Sequence, residues 1–247
     1  MNCSANLKPF RLLFFGFALT GLLLWAGQAL RADVLEKTFD APNGLKVSVK
    51  TIAPYAQPAD LQIVCVFKHK ADGDTYIEAM KDLDDKLGGL LSSLRNRGEF
   101  IGELGETILL DPPAGAIAAK QLLVIGLGEE KDLSLDTLKL VGRVAASEAI
   151  RLQARNVSFA PTIRDQGNTT IGVGDGDGAV VENLLLRYDT NQRLQKERLA
   201  APLITDLWTI DAGTKYYEDA VQKVGESIEK ASRTIEKRGT EPYSTAK

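Results

Sequence analysis

One histidine and two cysteines occur in 247 residues. The single His69 excludes His-rich zinc sites, and any Ser-His-Asp triad not built around it. The thiols are Cys3 and Cys65. Cys3 lies in an apolar leader, so the chain behind the leader holds no internal disulfide. Positive charge is also short, with 30 Lys+Arg against 33 Asp+Glu and a net charge of −3. Phosphate backbones demand a concentrated positive field, so nucleic acid is not an expected partner. The chain has no Gly-x-Ser-x-Gly elbow and no Walker loop. It has no internal repeat and no low-complexity linker. No residue is singled out as catalytic or metal-binding, and no cofactor is implied.

What is present begins with residues 1–32. They carry Lys8, Arg11 and Arg31 and no acid, and Leu12–Leu30 is an uncharged stretch of 19 residues. Two readings stay open. One is a secretory signal cleaved after Ala29 or Ala32, both small-residue sites. The other is an uncleaved anchor, since the stretch is just long enough to span a bilayer. Membrane attachment follows only from the second. Both predict export, to the periplasm or beyond the cell. Cys3 precedes the apolar run, unlike a lipoprotein cysteine. Losing the leader takes the net charge from −3 to −6. Hydrophobic residues at 44% and charged residues at 26% fit a globular domain.

Leu45, Val47 and Val49 alternate with polar residues, which reads as a strand with one wet face. Leu61–Phe67 reads as a buried strand, with Cys65 an inert thiol inside it. The apolar positions Tyr76, Ile77, Met80, Leu83, Leu87, Leu90, Leu91 and Leu94 predict one long amphipathic helix ending near Arg97-Gly98. Strands follow at Thr107–Leu110, Leu122–Gly126, Asn156–Phe159 and Leu207–Ile210. Helices are expected at about Ser134–Leu152, at Ala179–Tyr188, and from Tyr216 to about Arg238. Arg193–Arg198 reads as a charged stretch between elements, and Gly239–Lys247 as a frayed tail. Alternating strands and helices make the class α/β, with a mostly parallel or mixed sheet covered by helices on both faces.

Several stretches invite a chemical reading. Gly126-Leu127-Gly128 follows a strand as a dinucleotide fingerprint would, but Glu129 and Glu130 stand where the third glycine belongs, so a plain turn is preferred. Gly172-Val173-Gly174-Asp175-Gly176-Asp177-Gly178 is the most unusual stretch. Gly172, Gly174, Gly176 and Gly178 allow backbone amides to face an anion before a helix. Asp175 and Asp177 oppose an anion and allow weak calcium binding or helix capping instead. The EF-hand pattern fails, because Leu186 occupies the twelfth position. A flexible loop ending in a capping Asp177 is the plain reading. His69, in Lys68-His69-Lys70, reads as a solvated loop histidine. Asn156-Val157-Ser158 and Asn168-Thr169-Thr170 match the glycosylation sequon.

Three segments stand in a recognisable order: Arg95-Asn96-Arg97-Gly98-Glu99-Phe100, then Gly105-Glu106-Thr107-Ile108-Leu109-Leu110, then Leu122-Leu123-Val124-Ile125-Gly126-Leu127-Gly128-Glu129. With the helix behind them, they resemble the N-terminal domain of the leucyl (cytosol) aminopeptidase family, over roughly residues 40–238. The resemblance implies a macrodomain-like fold with a C-terminal helix. In that family a separate catalytic domain holds two metal ions and carries the signature Asn-Thr-Asp-Ala-Glu-Gly-Arg-Leu, which is absent from these 247 residues. No catalytic residue can be carried over. The organisation expected is a leader at 1–32, the aminopeptidase-type domain at 33–211, a linker-type helix at 212–238 and a tail at 239–247.

The resemblance implies a non-catalytic module acting through protein contacts or self-association. The apolar stripe Tyr217, Val221, Val224, Ile228 and Ile235 is the candidate interaction helix, which must fold back on its domain or bind something. A dimer through it is one expectation. A nucleotide or ADP-ribose ligand near Gly172–Gly178 is the alternative. A third reading is an aminopeptidase relative that depends on a separate catalytic chain.

Overall fold

The structure is a computed structural model that describes Met1 and residues 34–238. The leader and the 239–247 tail therefore lie outside the described residues. Seven strands form one mixed sheet: β1 (Glu36–Asp40), β2 (Lys46–Lys50), β3 (Leu61–Val66), β4 (Thr107–Leu110), β5 (Gln121–Gly126), β6 (Asn156–Ala160) and β7 (Leu207–Asp211). Their order is β1-β2-β7-β6-β3-β5-β4. The five inner strands run parallel, and the two edge strands β1 and β4 are antiparallel to their neighbours. The helices are α1 (Glu78–Lys86), α2 (Leu90–Asn96), α3 (Leu135–Arg151), α4 (Val173–Lys196) and α5 (Tyr217–Lys237).

Alternation along the strands builds two cores. Ile63 and Cys65 of β3, Leu123 and Ile125 of β5, Phe159 of β6, and Trp208 and Ile210 of β7 face α3, α4 and α5. Val64, Val66, Leu122 and Val124 face the other way, against Met80, Leu83, Leu87 and Leu91 of the α1–α2 segment. Helices thus cover both faces, as strands apolar on both sides require. Cys65 is fully buried, and burial pushes its thiol well above the ordinary range. Between β2 and β3 the chain must return along the length of the sheet, because both strands point the same way. Residues 51–60 make this return without a helix. Tyr55 and Ala59 accept bonds from Ala118 and Lys120 N–H on the way.

The long amphipathic helix expected at residues 76–97 is two helices. Gly88 and Gly89 take φ of 69° and 76°, a left-handed conformation that ends α1 and starts α2 at a new angle. The Asp84 carboxylate then caps α2, accepting from Leu91 N–H at 2.9 Å and from the Ser92 hydroxyl at 2.5 Å. Leucines on both sides of the break still reach the sheet, so the apolar spacing survives it. α4 also departs from expectation. It starts six residues before Ala179 and absorbs most of the charged Arg193–Arg198 stretch. β1 went unseen because its residues Glu-Lys-Thr-Phe-Asp are almost entirely exposed, and its pairing is dictated by β2.

The segments that carried the family resemblance work as scaffold. Arg95 is almost wholly buried, donates from Nη2 to the Phe67 carbonyl at 2.6 Å, and forms a two-pronged ion pair with Asp74. His69 Nδ1 lies 3.1 Å from the same Asp74 carboxylate, so this histidine is tied into the scaffold rather than simply solvated. Arg95 holds the Asp74 carboxyl below its usual range against the opposing effect of burial. Glu106 accepts from Gly102 and Glu103 N–H and fixes the turn before β4.

Helix packing sets the position of α4. A Cβ at Gly142 of α3 would lie 2.4 Å from the Val180 carbonyl oxygen of α4. At an exposed helix site, Gly→Ala gains up to about 1 kcal/mol. Here Gly142→Ala is expected to reverse that sign and cost about 1–3 kcal/mol through overpacking. Thermal unfolding checks this: a lower Tm supports the close crossing, and an unchanged or higher Tm contradicts it.

A candidate acidic cleft at the strand ends

A cleft of about 320 Å³ opens at the carboxyl ends of β2, β6 and β7, where α4 begins. This is the usual ligand position in open α/β sheets. Its walls are largely apolar, with Ile52, Pro54, Leu138, Ile163, Ile171 and Tyr216 among them. Four acids line it as well: Glu78, Asp165, Asp177 and Asp211.

Asp177 is 1% exposed, and neither carboxylate oxygen has a hydrogen-bond partner. Burial holds its carboxyl well above the ordinary range, and the nearby Asp219 and Asp211 push the same way. Asp211, at the end of β7, accepts from the Ser158 hydroxyl at 2.7 Å and from Gln62 Nε2 at 3.0 Å. Burial still raises it to about 7. Asp165 is raised to about 6, first by burial and then by the Glu78 charge. The one cation lining the cleft is Arg164. It donates from Nη1 to the Asn168 carbonyl and from Nη2 to the Ile171 carbonyl, and its guanidinium lies over the Tyr216 ring. Its Nε is buried without a partner.

Thr162 shapes the β6 side of the cleft. Its φ of 52° is unusual for a β-branched residue. The side chain takes over bonds that β6 can no longer make: Oγ1 donates to the Cys65 carbonyl at 2.5 Å and accepts from Cys65 N–H at 3.2 Å. Gln166 extends the same repair, accepting from Phe67 N–H and donating to the carbonyls of Cys65 and Thr162. β3 therefore keeps its bonds past the point where β6 ends, and the chain bends away to leave the cleft.

The Gly172–Gly178 stretch is not a loop but the first two turns of α4. Gly172, Gly176 and Asp177 reach the cleft, and Gly174, Asp175 and Gly178 do not. Its glycines serve close packing. A Cβ at Gly174 would meet Asp219 at 2.6 Å, one at Gly176 would meet Leu138 at 3.0 Å, and one at Gly178 would meet Ser227 at 2.6 Å. The amide expected to face an external anion already donates to the protein's own Asp219 carboxylate, from Gly174 at 2.9 Å. Asp175 is exposed and lies 3.7 Å from Lys223. Asp177 is a buried wall residue rather than the cap.

The stripe on α5 is placed just as definitely. Tyr217, Val224 and Ile228 are buried in the core, and Val221 packs against it. Ile235 is half-buried, and its carbonyl accepts from Arg193 of α4. The stripe has folded back on its own domain, so it is no free dimer face. Sequence reasoning missed Asp211, Asp165, Glu78 and Arg164. Only Asp211 left a signal, as an acid directly behind an apolar strand. Among the described residues, no group of three or more His, Cys, Asp or Glu is arranged to hold a metal ion, and no helix is long and apolar enough to cross a membrane.

The raised carboxyls fix the sign of a pH effect. Unfolded, Asp211 has an ordinary value of 3.8, and folded it sits near 7. Between these values the folded state holds a proton that the unfolded state has lost, so stability falls as pH rises through that window. Tm is expected to drop by about 5 °C from pH 5 to pH 8, a loss of the order of 1–3 kcal/mol. Asp211→Asn should flatten the profile. Calorimetric scans across this range check both, and a Tm that rises toward pH 8 contradicts the account.

Comparison with known proteins fits this architecture. Residues 63–197 match the family model described as the cytosol aminopeptidase family, N-terminal domain. A probable cytosol aminopeptidase of Microcystis aeruginosa is 33% identical over 129 residues, which are 51% of this chain and 24% of that protein. One from Thermosynechococcus vestitus is 28% identical over 59% of this chain and 28% of its own length. The chain therefore spans about a quarter of the length of these curated relatives. Among solved structures, a tomato leucine aminopeptidase mutant matches with a TM-score of 0.58 and 19% identity, over 81% of this chain and 38% of that one. An Oceanobacillus iheyensis macrodomain solved with ADP matches with a TM-score of 0.56 and 13% identity, over 81% of this chain and 100% of that one. At those identities the structural matches establish a macrodomain-like fold. The family match covers more than half of the chain, which belongs to the cytosol aminopeptidase family through its N-terminal domain.

Proposed function

We propose that this chain is an exported, non-catalytic binding module of the aminopeptidase N-terminal type, and that the cleft at the ends of β2, β6 and β7 is where it binds a small ligand. One observation carries the reading: a formed cavity whose wall includes a fully buried carboxyl, Asp177, with both oxygens unbonded. Buried polar groups are normally satisfied, and an exception of this kind marks a place for a missing partner. The α5 stripe offers no comparable opening, since the domain covers it. Support for export comes from the leader, with its two early basic residues and its long uncharged run. Support for a non-catalytic role of these residues comes from a match that falls on the N-terminal domain of the family.

A protein partner is the second reading. It is favoured by the family, whose members of the cytosol aminopeptidase type match this chain only over their N-terminal domain. Such a partner would supply a separate catalytic chain, or the module would self-associate through a surface other than α5.

The purified chain, supplied with zinc or manganese, is expected to release no fluorophore from a leucyl-amide substrate. Release that scales with protein concentration and is lost on chelation would overturn the non-catalytic reading.

A further inference from the structure

The geometry points to a small organic amine, a primary ammonium group on an apolar body, as the ligand of the acidic cleft. This rests on the proposal that the cleft is a binding site, and it names the chemistry that the site selects. Four carboxyl groups line the cavity against one guanidinium. That guanidinium is largely engaged: both terminal nitrogens donate to backbone carbonyls and its face lies on Tyr216, leaving Nε as its one buried donor without a partner. An incoming anion would meet two buried carboxyls, Asp177 and Asp211, with only Lys50 acting on Asp211 and the Arg164 Nε to offset them. It would also find the Gly174 amide at the start of α4 already taken by Asp219. Phosphate-bearing ligands are therefore selected against.

An ammonium group reverses each term. It brings the positive charge the cavity lacks and three hydrogen-bond donors. Neither oxygen of Asp177, buried behind the cleft wall, has a hydrogen-bond partner in the protein to compete with such a donor. A charge-assisted bond of this kind is about twice as strong as a neutral one. The remaining walls, among them Ile52, Pro54, Leu138, Ile163 and Ile171, offer an apolar surface to the rest of the ligand. A cavity of about 320 Å³ suits a small molecule rather than a peptide. A bare metal ion fits less well, because no three-ligand cluster is arranged for one among the described residues.

The test is calorimetric titration of the full chain at pH 8 with three probes: phenethylamine, its neutral isostere 2-phenylethanol, and ADP. Phenethylamine is expected to bind at least tenfold more tightly than the alcohol, with ADP giving no heat. Asp177→Asn is expected to lose at least tenfold in amine affinity while leaving alcohol binding unchanged. Amide NMR shifts on the unsubstituted chain provide a readout independent of that variant's folding. With phenethylamine they should centre on Thr162, Gly176 and Ala212. Equal binding of amine and alcohol in the cleft, or binding of ADP there, overturns the amine inference and leaves the cleft standing as a site. Shifts centred elsewhere, or none with any probe, overturn both.

Discussion

A carboxyl group that the protein buries but does not bond organises this domain. Asp177 sits in the second turn of α4, where Gly174 and Gly178 let α5 come close and Gly176 admits Leu138 of α3. Side chains at those positions would hold the helices apart and let water reach the acid. The same packing brings Asp219 onto the α4 amide and places its carboxylate where it pushes Asp177 further toward the protonated form. Removing an ionised carboxylate from water is costly, so the group stays protonated or waits for a cation. The cleft, the raised carboxyls and the exclusion of anions follow from this one arrangement.

The three short segments that carry the family resemblance do not line the cleft, although the family match over residues 63–197 takes in part of its wall. Arg95, Asp74, Glu106 and the glycines around Gly126 hold the α2–β4–β5 region together by buried ion pairs and tight turns. They explain why the segment is recognisable and say nothing about what the domain binds. The cleft is drawn instead from six separate stretches of chain, near residues 52, 78, 138, 163, 174 and 213. A shared scaffold with its own charge pattern at the strand ends is how one fold comes to serve different ligands.

Much of the fold was legible in the sequence because burial leaves a period. Runs such as Leu61–Phe67 and Leu122–Gly126 are apolar on both faces, and the α3 and α5 patterns repeat at helical spacing. The failures have specific causes. Gly88-Gly89 broke a helix without disturbing the leucine spacing on either side. Gly172–Gly178 looked like a loop because glycine is a poor helix former, yet tertiary packing overrode propensity where two helices had to approach α4. The cleft itself was nearly invisible. Glu78, Asp165 and Asp211 are far apart in the chain, and only the parallel order of β2, β7 and β6 assembles them. Asp177 was legible as unusual, but capping and burial cannot be told apart from sequence.

The most direct measurement is the carboxyl ¹³C NMR titration of Asp177, assigned by comparison with Asp177→Asn. The account predicts a carboxyl that titrates well above its ordinary range in the free protein and shifts back down once an organic ammonium ion occupies the cleft. A carboxyl that titrates near the ordinary value of 3.8 in the free protein would show that water or a protein group already satisfies it, and would contradict the account at its root.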